Sequence, residues 1–476
     1  MIHDAIVIGG GPNGLMAAIE LASAGKSVRL YEANPEIGGS ARSAELTLPG
    51  FVHDICSAVH PMAAGSPCFA RLSLDRYGLR YVYPPAALAH PFEDGSAIVL
   101  TKSVEETGAF FEKDCQAYKD LMAPIAEGWS ELAVDVLGPP RFPRHPLRTA
   151  RFGWHALKPA KNLATDIFRS DKGRAVFAGL AAHSCLAMEQ RGTSAFGLIL
   201  AGLAHAIGWP VAAGGSQSIS NALGAHLKAL GGEIVTERSI ASLQELPPAN
   251  AILCDLTPRQ LVRIAGNSLP ANFIRKLSSY RYGAGVFKMD WALSQPVPWK
   301  AKDCLSAATV HLGSSFNDIL LSEREVINRS HPERPFTILS QPTLFDTSRA
   351  PSGRHTLWGY CHVPNGSRVD MSERIEKQIE RFAPGFRDCI LARSVMTTAD
   401  LEVHNANLIG GDINGGSAEL SQLLVRPTSM WYSTPRKDLF LCSSSTPPGG
   451  GVHGLCGYYA AQTALRKWPT NRDTAD

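Results

Sequence analysis

The chain has 476 residues, which is enough for two or three domains and a large apolar core. Hydrophobic residues make up 45% and charged residues 19%, as in an ordinary globular enzyme, and a net charge of +3 gives no reason to expect a nucleic-acid partner. The ten cysteines are scattered, without a C-x-x-C pair or a His/Cys cluster. This pattern argues against a metal site, a disulfide scaffold and a dithiol redox centre, and it predicts a reducing, cytoplasmic compartment.

The first segment has the pattern of a dinucleotide-binding unit. An apolar strand, Ala5–Ile8, is followed by a G-x-G-x-x-G turn and a helical pattern, and the turn comprises Gly9, Gly11, Pro12, Asn13 and Gly14. Such a turn lets a diphosphate approach the backbone at a helix N-terminus. The next strand, Val28–Tyr31, ends at Glu32, whose carboxylate is expected to accept hydrogen bonds from an adenosine ribose. The motif alone does not separate FAD from NAD.

A second glycine pair lies six residues after Glu32. Glycines there would let another loop reach the diphosphate, and an arginine beside them could neutralise its charge. The predicted contacts are Gly39, Ser40 and Arg42. The alternative is a surface turn with a solvated arginine.

The C-terminal region also has the pattern of a strand, a glycine-rich turn and a helix. Residues 438–442 predict a strand, the glycines at 449–451 a tight turn, and residues 452–468 a helix. The predicted cofactor contacts are Ser445, Gly451, Val452 and His453. The two glycine-rich ends together predict one FAD held by both ends of the chain, and the alternative for the second is an ordinary turn.

These elements predict an α/β fold in which a Rossmann-type FAD-binding domain alternates along the chain with an α+β substrate domain built from a sheet plus helices. The predicted FAD-binding domain comprises residues 1–100, 211–265 and 396–476, and the substrate domain comprises residues 101–210 and 266–395. A strand is expected at 251–255 and another at 283–293. The apolar stretch 195–209 is too short to span a membrane and predicts a core helix or a cavity wall.

A basic segment lies in the first part of the predicted substrate domain. Between residues 141 and 174 there are nine Lys/Arg and two Asp/Glu, with Phe142, Phe152, Trp154 and Phe168 interleaved. One interpretation is a solvated basic face. The other is a surface that rests on anionic lipid, with the aromatic side chains inserted.

Four stretches resemble a known family, the phytoene-desaturase-like FAD oxidoreductases within the flavin amine oxidase superfamily. They are residues 6–14 with Glu32 and Gly38-Gly39, residues 51–61, residues 282–293 and residues 447–461. Within that family, the chain resembles the pyridine-nucleotide-disulfide-oxidoreductase-like branch and not the dedicated carotenoid desaturases. The chain departs from the family at Cys442–Ser445, where a glycine usually follows the strand, and it lacks the aromatic pair typical of amine oxidation.

The resemblance implies four candidate catalytic residues. His60 would act as an acid or base near the flavin, or else it packs the cofactor. Lys288 matches a lysine that holds a water at flavin N5 in relatives, or else it is a strand lysine with a solvent-facing head. His453 and Tyr458 would line the flavin from the closing helix.

The leading functional hypothesis is a desaturase or dehydrogenase acting on CH–CH groups, in which a hydride passes to flavin N5 from an apolar or alicyclic substrate, isoprenoid-like or a cyclic ketone. Oxygen, a quinone or another acceptor would reoxidise the flavin. The alternatives are a reductase or isomerase of polyenes that works from reduced FAD, an amine oxidase, and a flavin-bound interaction protein. We expect no nucleic-acid partner and a cytoplasmic or membrane-associated location, and a homodimer is a further hypothesis.

Overall fold

A computed structural model of the chain describes residues 3–468. The strands within this range are β1 (Ala5–Ile8), β2 (Val28–Tyr31), β3 (Ser43–Glu45), β4 (Val52–Asp54), β5 (Tyr81–Val82), β6 (Ala86–Pro91), β7 (Ala97–Thr101), β8 (Val211–Ala212), β9 (Glu233–Val235), β10 (Ala251–Cys254), β11 (Gly285–Leu293), β12 (Ala307–Leu312), β13 (Thr337–Ser340), β14 (His355–Val363), β15 (Ile390–Met396) and β16 (Leu439–Leu441).

The α-helices in the same range are α1 (Pro12–Ser23), α2 (Pro61–Ala64), α3 (Val104–Phe110), α4 (Cys115–Glu127), α5 (Trp129–Val136), α6 (Pro146–Ala156), α7 (Ala160–Ile167), α8 (Asp171–Ala181), α9 (Thr193–Ala206), α10 (Gln217–Ala229), α11 (Pro258–Ala265), α12 (Ala271–Ser278), α13 (Phe316–Ile327), α14 (Ser372–Phe382), α15 (Thr398–His404), α16 (Leu420–Leu423) and α17 (Leu455–Arg466).

Five parallel strands form the sheet that carries the glycine-rich turn, in the order β16–β10–β1–β2–β9. Every residue of β1 and β10 is buried, as expected for parallel strands that are covered by helices on both faces. Strands from the two ends and the middle of the chain are therefore neighbours in one sheet. The predicted α/β class with a Rossmann-type part is confirmed.

The closing helix α17 packs on α1. A side chain at Gly457 would place its Cβ 1.8 Å from the Asn13 carbonyl oxygen, so only glycine permits this approach. The helix begins at Leu455, three residues later than predicted, because the preceding Gly454 is left-handed at φ +69°. The predicted final segment extends to residues 469–476, which lie outside the described range.

A second, mixed sheet has seven strands in the order β15–β11–β14–β13–β12–β6–β7. The predicted strand at 283–293 is its nine-residue strand β11, which pairs antiparallel with β14 and β15. The predicted domain boundary at residue 100 lies inside this sheet, since β6 pairs in parallel with β12 and β7 pairs with β6.

The two faces of the seven-stranded sheet have different environments. Phe287, Met289 and Trp291 of β11 pack with Ile375 and Ile379 of α14 in an apolar core. Because strand side chains alternate between faces, the intervening positions point away from α14. This other face of the sheet, formed by β11, β13 and β14, carries Val286, Lys288, Ile338, Trp358 and Tyr360, which line a large cavity.

A helical layer, α3 to α9, packs near this cavity. The predicted core helix at 195–209 is α9, and Leu200 from it and Trp209 beyond it line the cavity. No helix in the range 3–468 has the length and apolar character that would be needed to cross a membrane.

Candidate functional site

The glycine-rich turn between β1 and α1 forms one end of the cavity. Gly9 is left-handed, at φ +101°, and a Cβ at Gly14 would lie 2.0 Å from the Gly9 carbonyl oxygen. The first turn of α1 therefore approaches the end of β1 as closely as a backbone can. Gly9 and Gly11 line the cavity together with Pro12 and Asn13.

Glu32 follows β2 and lies against this turn. Its Oε2 accepts a hydrogen bond from the Gly10 N–H at 2.7 Å, and its Oε1 accepts hydrogen bonds from the N–H and the side chain of Asn34 at 2.9 and 2.8 Å. The carboxylate is buried and lines the cavity. A carboxylate oxygen has further lone-pair sites, so Glu32 keeps acceptor capacity for a ribose hydroxyl.

Asp255, which follows β10, is a further carboxylate at the turn. Its Oδ2 accepts a hydrogen bond from the Gly14 N–H at 3.0 Å, and it lines the cavity. Burial and the neighbouring Glu32 charge raise the pKa of Asp255 to about 7, although the Gly14 N–H lowers it. A carboxyl that protonates near neutral pH reduces its repulsion of a diphosphate.

The second glycine loop also reaches the cavity, through Gly39 and Ser40. Arg42 does not line it, because its guanidinium donates to the carbonyl oxygens of Gly39 at 3.1 Å and of His404 at 3.0 Å. Asn405 donates to the Ser40 hydroxyl at 2.9 Å. Arg42 thus fixes the loop against the end of α15 instead of pointing at a ligand.

The C-terminal loop contributes Gly451 and Val452 to the cavity wall. Ser445 is fully buried, and its hydroxyl donates to the Gly415 carbonyl oxygen at 2.8 Å. Neither it nor His453 lines the cavity. The His453 Nδ1 accepts the Leu455 N–H at 3.0 Å and its Nε2 lies 3.2 Å from the Gly449 carbonyl oxygen, so this imidazole braces the start of α17.

Tyr458, on the first turn of α17, is half-buried, with the Arg71 guanidinium 4.7 Å from its ring centroid. It does not line the cavity. The structure therefore separates the four candidate catalytic residues: His60 and Lys288 lie at the cavity, whereas His453 and Tyr458 lie behind its wall.

His60 precedes α2 and is 1% exposed. Burial lowers its pKa to about 4, with a smaller opposing effect from Asp54, so the imidazole is neutral at physiological pH. Its Nδ1 lies 3.4 Å from the Ser57 hydroxyl, and its Nε2 has no hydrogen-bond partner among residues 3–468. A neutral imidazole with an unpartnered nitrogen at a cavity wall can accept a proton or a hydrogen bond.

Lys288 extends from β11 into the cavity wall and is only 2% exposed, so its head does not point to solvent. Its Nζ donates to Asp290 Oδ2, two residues along the same strand face. His53 lies on the other side of this carboxylate, with 3.5 Å between Nδ1 and Oδ1. Burial raises the pKa of Asp290 to about 6, against the effect of the Lys288 charge.

A second buried ion pair lies nearby. Arg349 donates to Asp54 Oδ2 at 2.5 Å, and Asp54 Oδ1 accepts hydrogen bonds from the Ser216 N–H at 2.7 Å and from the Ser43 hydroxyl at 2.8 Å. Burial opposes ionisation, but Arg349 and the Ser216 N–H hold the pKa of Asp54 below its usual value. The pair ties β4, the start of α10 and the loop before β14 into one support.

The end of the cavity away from the glycine-rich turn is aromatic. Trp358 and Tyr360 of β14 meet edge to face, with ring centroids 5.3 Å apart. Trp209 and His183 complete this wall, and the His183 Nε2 lies 3.0 Å from the His311 Nε2. One continuous cavity of about 530 Å³ thus runs from the glycine-rich turn to this aromatic end.

Comparisons with known proteins agree with a Rossmann-type fold. Residues 7–72 match the model of the NAD(P)-binding Rossmann-like domain. The chain is 25% identical to mouse pyridine nucleotide-disulfide oxidoreductase domain-containing protein 2, over 98% of this chain and 93% of that protein. Over 25% of this chain and 22% of the relative, it is 30% identical to one of the subunits of limonene dehydrogenase from Castellaniella defragrans.

Solved structures share the whole fold. An oxidoreductase from Methanosarcina mazei superposes with a TM-score of 0.66 at 15% identity, covering 97% of this chain and 99% of that one. Putrescine oxidase bound to putrescine gives a TM-score of 0.61 at 17% identity, covering 98% and 99%. At these identities, the likeness concerns the fold of the chain.

The residues that line this cavity fit a dinucleotide cofactor. The close approach at Gly14 leaves backbone N–H groups at the N-terminus of α1, which is the usual site for a diphosphate. Glu32 supplies the acceptor for a ribose, and Gly451 and Val452 bring the other end of the chain to the same cavity.

Sequence reasoning missed three residues that line the cavity: Asp255, Trp358 and Tyr360. The first was visible as the residue that ends a buried strand, the position where parallel sheets place ligand-binding side chains. The other two alternate along one strand with Cys361 and Gly359, a period-2 pattern that places both on one face.

Proposed function

We propose that this protein binds FAD and acts as a desaturase or dehydrogenase on CH–CH groups of an apolar or alicyclic substrate. The observation that carries the proposal is the single cavity that joins the glycine-rich turn to a wall of apolar and aromatic side chains, with a neutral imidazole between them. When bound, FAD supplies a two-electron acceptor for a hydride that leaves a C–H bond. Turnover would also require an acceptor for these two electrons, and we propose oxygen, a quinone or another acceptor.

The protein's own groups supply the remaining needs of such a reaction. His60, neutral at pH 7, accepts the proton of the neighbouring carbon at its unpartnered Nε2. Lys288, held by Asp290, offers a fixed N–H donor at the cavity wall, where a water or a cofactor atom can accept from it. Trp358 and Tyr360 give the substrate an apolar surface and exclude water.

The relatives support this assignment in different ways. Limonene dehydrogenase is named for an alicyclic hydrocarbon, which is the class of substrate proposed here. Putrescine oxidase is named for an amine. An amine oxidase is therefore the second candidate. The sequence lacks the family's aromatic-pair signature, but Trp358 and Tyr360 meet edge to face at the cavity and offer a surface on which a cationic group could rest.

An anaerobic titration tests the proposal. The purified protein is mixed with NADH, NADPH, cyclic alkenes and ketones, polyenes or diamines, and the oxidised-flavin band is followed at about 450 nm. We expect bleaching by a member of the alicyclic or polyene set. Rapid bleaching by NADH or NADPH would instead place a reductase or isomerase first, and bleaching only by diamines, with hydrogen peroxide released in air, would establish an amine oxidase.

A lipid-contacting surface would suit an apolar substrate, and the side chains of the basic segment support one. Phe142, Leu147 and Trp154 are 86, 88 and 73% exposed, whereas Phe152 and Phe168 of the same segment are buried. The basic residues that accompany the exposed side chains are Arg141, Arg144, Arg148, Arg151, Lys158 and Lys161. Exposed apolar side chains among cations match the chemistry of an anionic bilayer.

Co-sedimentation with vesicles tests this surface. We expect binding to vesicles that contain phosphatidylserine, weaker binding to neutral vesicles, and loss of most binding in the Trp154→Ser variant. Tyr83, which is 52% exposed and lies outside the segment, provides the control variant Tyr83→Ser, for which binding should be unchanged. Equal binding of all three proteins, or none to anionic vesicles, would contradict the proposal.

A further inference from the structure

Three buried side chains beside the cavity form a chain of hydrogen bonds that the proposed reaction does not use. The Cys185 Sγ lies 3.4 Å from His362 Nε2, and His362 Nδ1 lies 2.8 Å from Glu323 Oε2. The three residues come from the turn after α8, from β14 and from α13. Their order, with a thiol, an imidazole and a carboxylate, is that of an activated nucleophile, its base and the group that orients the base.

The electrostatics of this array favour the protonated form of the His362 imidazole. Burial alone would lower the pKa of His362, but the adjacent Cys185 and the Glu323 carboxylate raise it well above its usual value. His362 and Glu323 are 2% and 1% exposed, so water screens the interaction little. The second oxygen of Glu323, Oε1, is buried without a hydrogen-bond partner among residues 3–468.

The sulfur lies directly behind the cavity wall. The Asn414 side-chain amide lines the cavity and donates to the Cys185 Sγ at 3.4 Å. Tyr360 also lines the cavity and shares with His362 the cavity-facing side of β14, with 5.7 Å between the two ring centroids. The thiol itself is buried and does not line the cavity, but the Asn414 amide contacts it from the cavity wall.

The backbone at Cys185 adds an independent sign of function. The residue is left-handed, at φ +54° and ψ +36°, a conformation that is unfavourable for a non-glycine residue. Strain of this kind is concentrated at sites where a side chain must be presented in one direction. The ten cysteines are free, and no group of side chains within residues 3–468 has the arrangement of a metal site.

We propose that Cys185, His362 and Glu323 form a nucleophilic site that binds conjugated carbonyl compounds covalently. His362 Nε2 takes the thiol proton, and the Cys185 Sγ forms a bond to the β-carbon of an enone or enal. The electron pair of the C=C bond moves toward the carbonyl as an enolate, and the proton on His362 passes to the α-carbon. The net reaction adds the thiol across the double bond, needs no oxidant or reductant, and reverses by elimination.

The choice of ligand follows from the neighbouring donors. The Asn414 amide is a neutral hydrogen-bond donor at the sulfur, and burial raises the pKa of Tyr360 well above its usual value, so its phenol keeps its proton. A carbonyl oxygen conjugated to the electrophilic carbon can accept from such a donor as its negative charge develops. The proposal stands on this array alone and does not depend on the dehydrogenase assignment.

The test is alkylation of the flavin-loaded protein by iodoacetamide and, separately, by cyclohex-2-enone, with the modified cysteine identified and timed by peptide mass spectrometry. Cys56 is the internal control: it lines the cavity itself, but it has no imidazole partner among residues 3–468, and burial raises its pKa to about 11. We expect Cys185 to react at least ~10-fold faster than Cys56 with both reagents. An unmodified Cys185, or equal rates at the two cysteines, would overturn the proposal.

Two variants distinguish a Cys185 thiol that is activated by its neighbours from one that is only accessible to the reagent. His362→Gln and Glu323→Gln should each slow modification of Cys185 ~10-fold or more and leave Cys56 unchanged, because they remove the base or its orienting carboxylate. Flavin content and the thermal midpoint report whether each variant is folded. If folded variants react at Cys185 as fast as the parent protein, the thiol is merely accessible and the proposed site is refuted. If neither variant folds, the comparison of Cys185 with Cys56 in the parent protein decides.

Discussion

The variant Asp255→Asn tests the electrostatics of the dinucleotide site through stability alone. Burial first, and the Glu32 charge next, raise the pKa of Asp255 from 3.8 to about 7. A group with a higher pKa in the folded state contributes stability below its unfolded pKa, and this contribution is lost as the pH rises through the folded pKa. A rise of about three units corresponds to ~4 kcal/mol of unfolding free energy in full, and ~3 kcal/mol of it falls between pH 5 and pH 8.

Asparagine keeps an oxygen that accepts from the Gly14 N–H but carries no charge to bury. Relative to the parent protein, Asp255→Asn should therefore be ~3 kcal/mol more favourable at pH 8 than at pH 5. The measurement is the denaturant or thermal midpoint of both proteins, freed of flavin, at the two pH values. An effect of equal size at both pH values, or a larger loss at pH 8, would refute the reasoning.

The control is Asp54→Asn, which has the opposite sign. Arg349 holds the pKa of Asp54 below its usual value, although burial opposes this. Stability from such a group is present above the unfolded pKa and is lost as the pH falls through the folded pKa. Removing this charge also leaves the buried Arg349 without its partner, so the variant should be less stable at pH 8 by about 3–5 kcal/mol.

Three further outcomes are expected. His60→Gln should slow flavin reduction by the substrate found in the screen ~10²-fold. His205 is also buried, with its pKa also near 4, but it is bonded to Tyr118, and His205→Gln should not slow this reduction. Equal rates for the two variants would dismiss His60 as the base. Lys288→Met should slow flavin reoxidation or turnover ~10-fold, and unchanged values of both would remove its assigned role. Gly14→Ala should lose most bound flavin, because its Cβ would meet the Gly9 oxygen, while Gly153→Ala, with open space around it, should retain a full complement.

The parts of the fold that the sequence predicts are those with local signals. The apolar run at 5–8, the glycines after it and the acidic end of the second strand specify one βαβ unit, and the structure has each element where predicted. The C-terminal strand and helix are confirmed within three residues at either end. These signals depend on neighbours in the chain, so no knowledge of distant contacts is needed to interpret them.

The chemistry of the cavity depends on distant contacts. Asp255 meets Gly14 only because β10 pairs in parallel with β1, an arrangement that no local pattern fixes. The pairing of Lys288 with Asp290 could be predicted more easily from the sequence, since residues two apart on a strand share a face. The hydrogen-bonded array at Cys185 joins three elements that are far apart in sequence, and no spacing in the chain points to it.

The buried charges near the cavity occur as oppositely charged pairs. Two ion pairs, Lys288 with Asp290 and Arg349 with Asp54, are buried away from water. Such pairs add little net stability, because desolvation offsets their attraction. Removing one partner, however, lowers the free energy of unfolding by several kcal/mol, because the other charge stays buried and unpaired. They therefore act as positional constraints: Asp54 links β4 to the start of α10, and Asp290 holds the lysine head at the cavity wall. The proposed reaction needs a cofactor and a substrate held in fixed positions, and these two buried pairs would keep the surrounding wall in place.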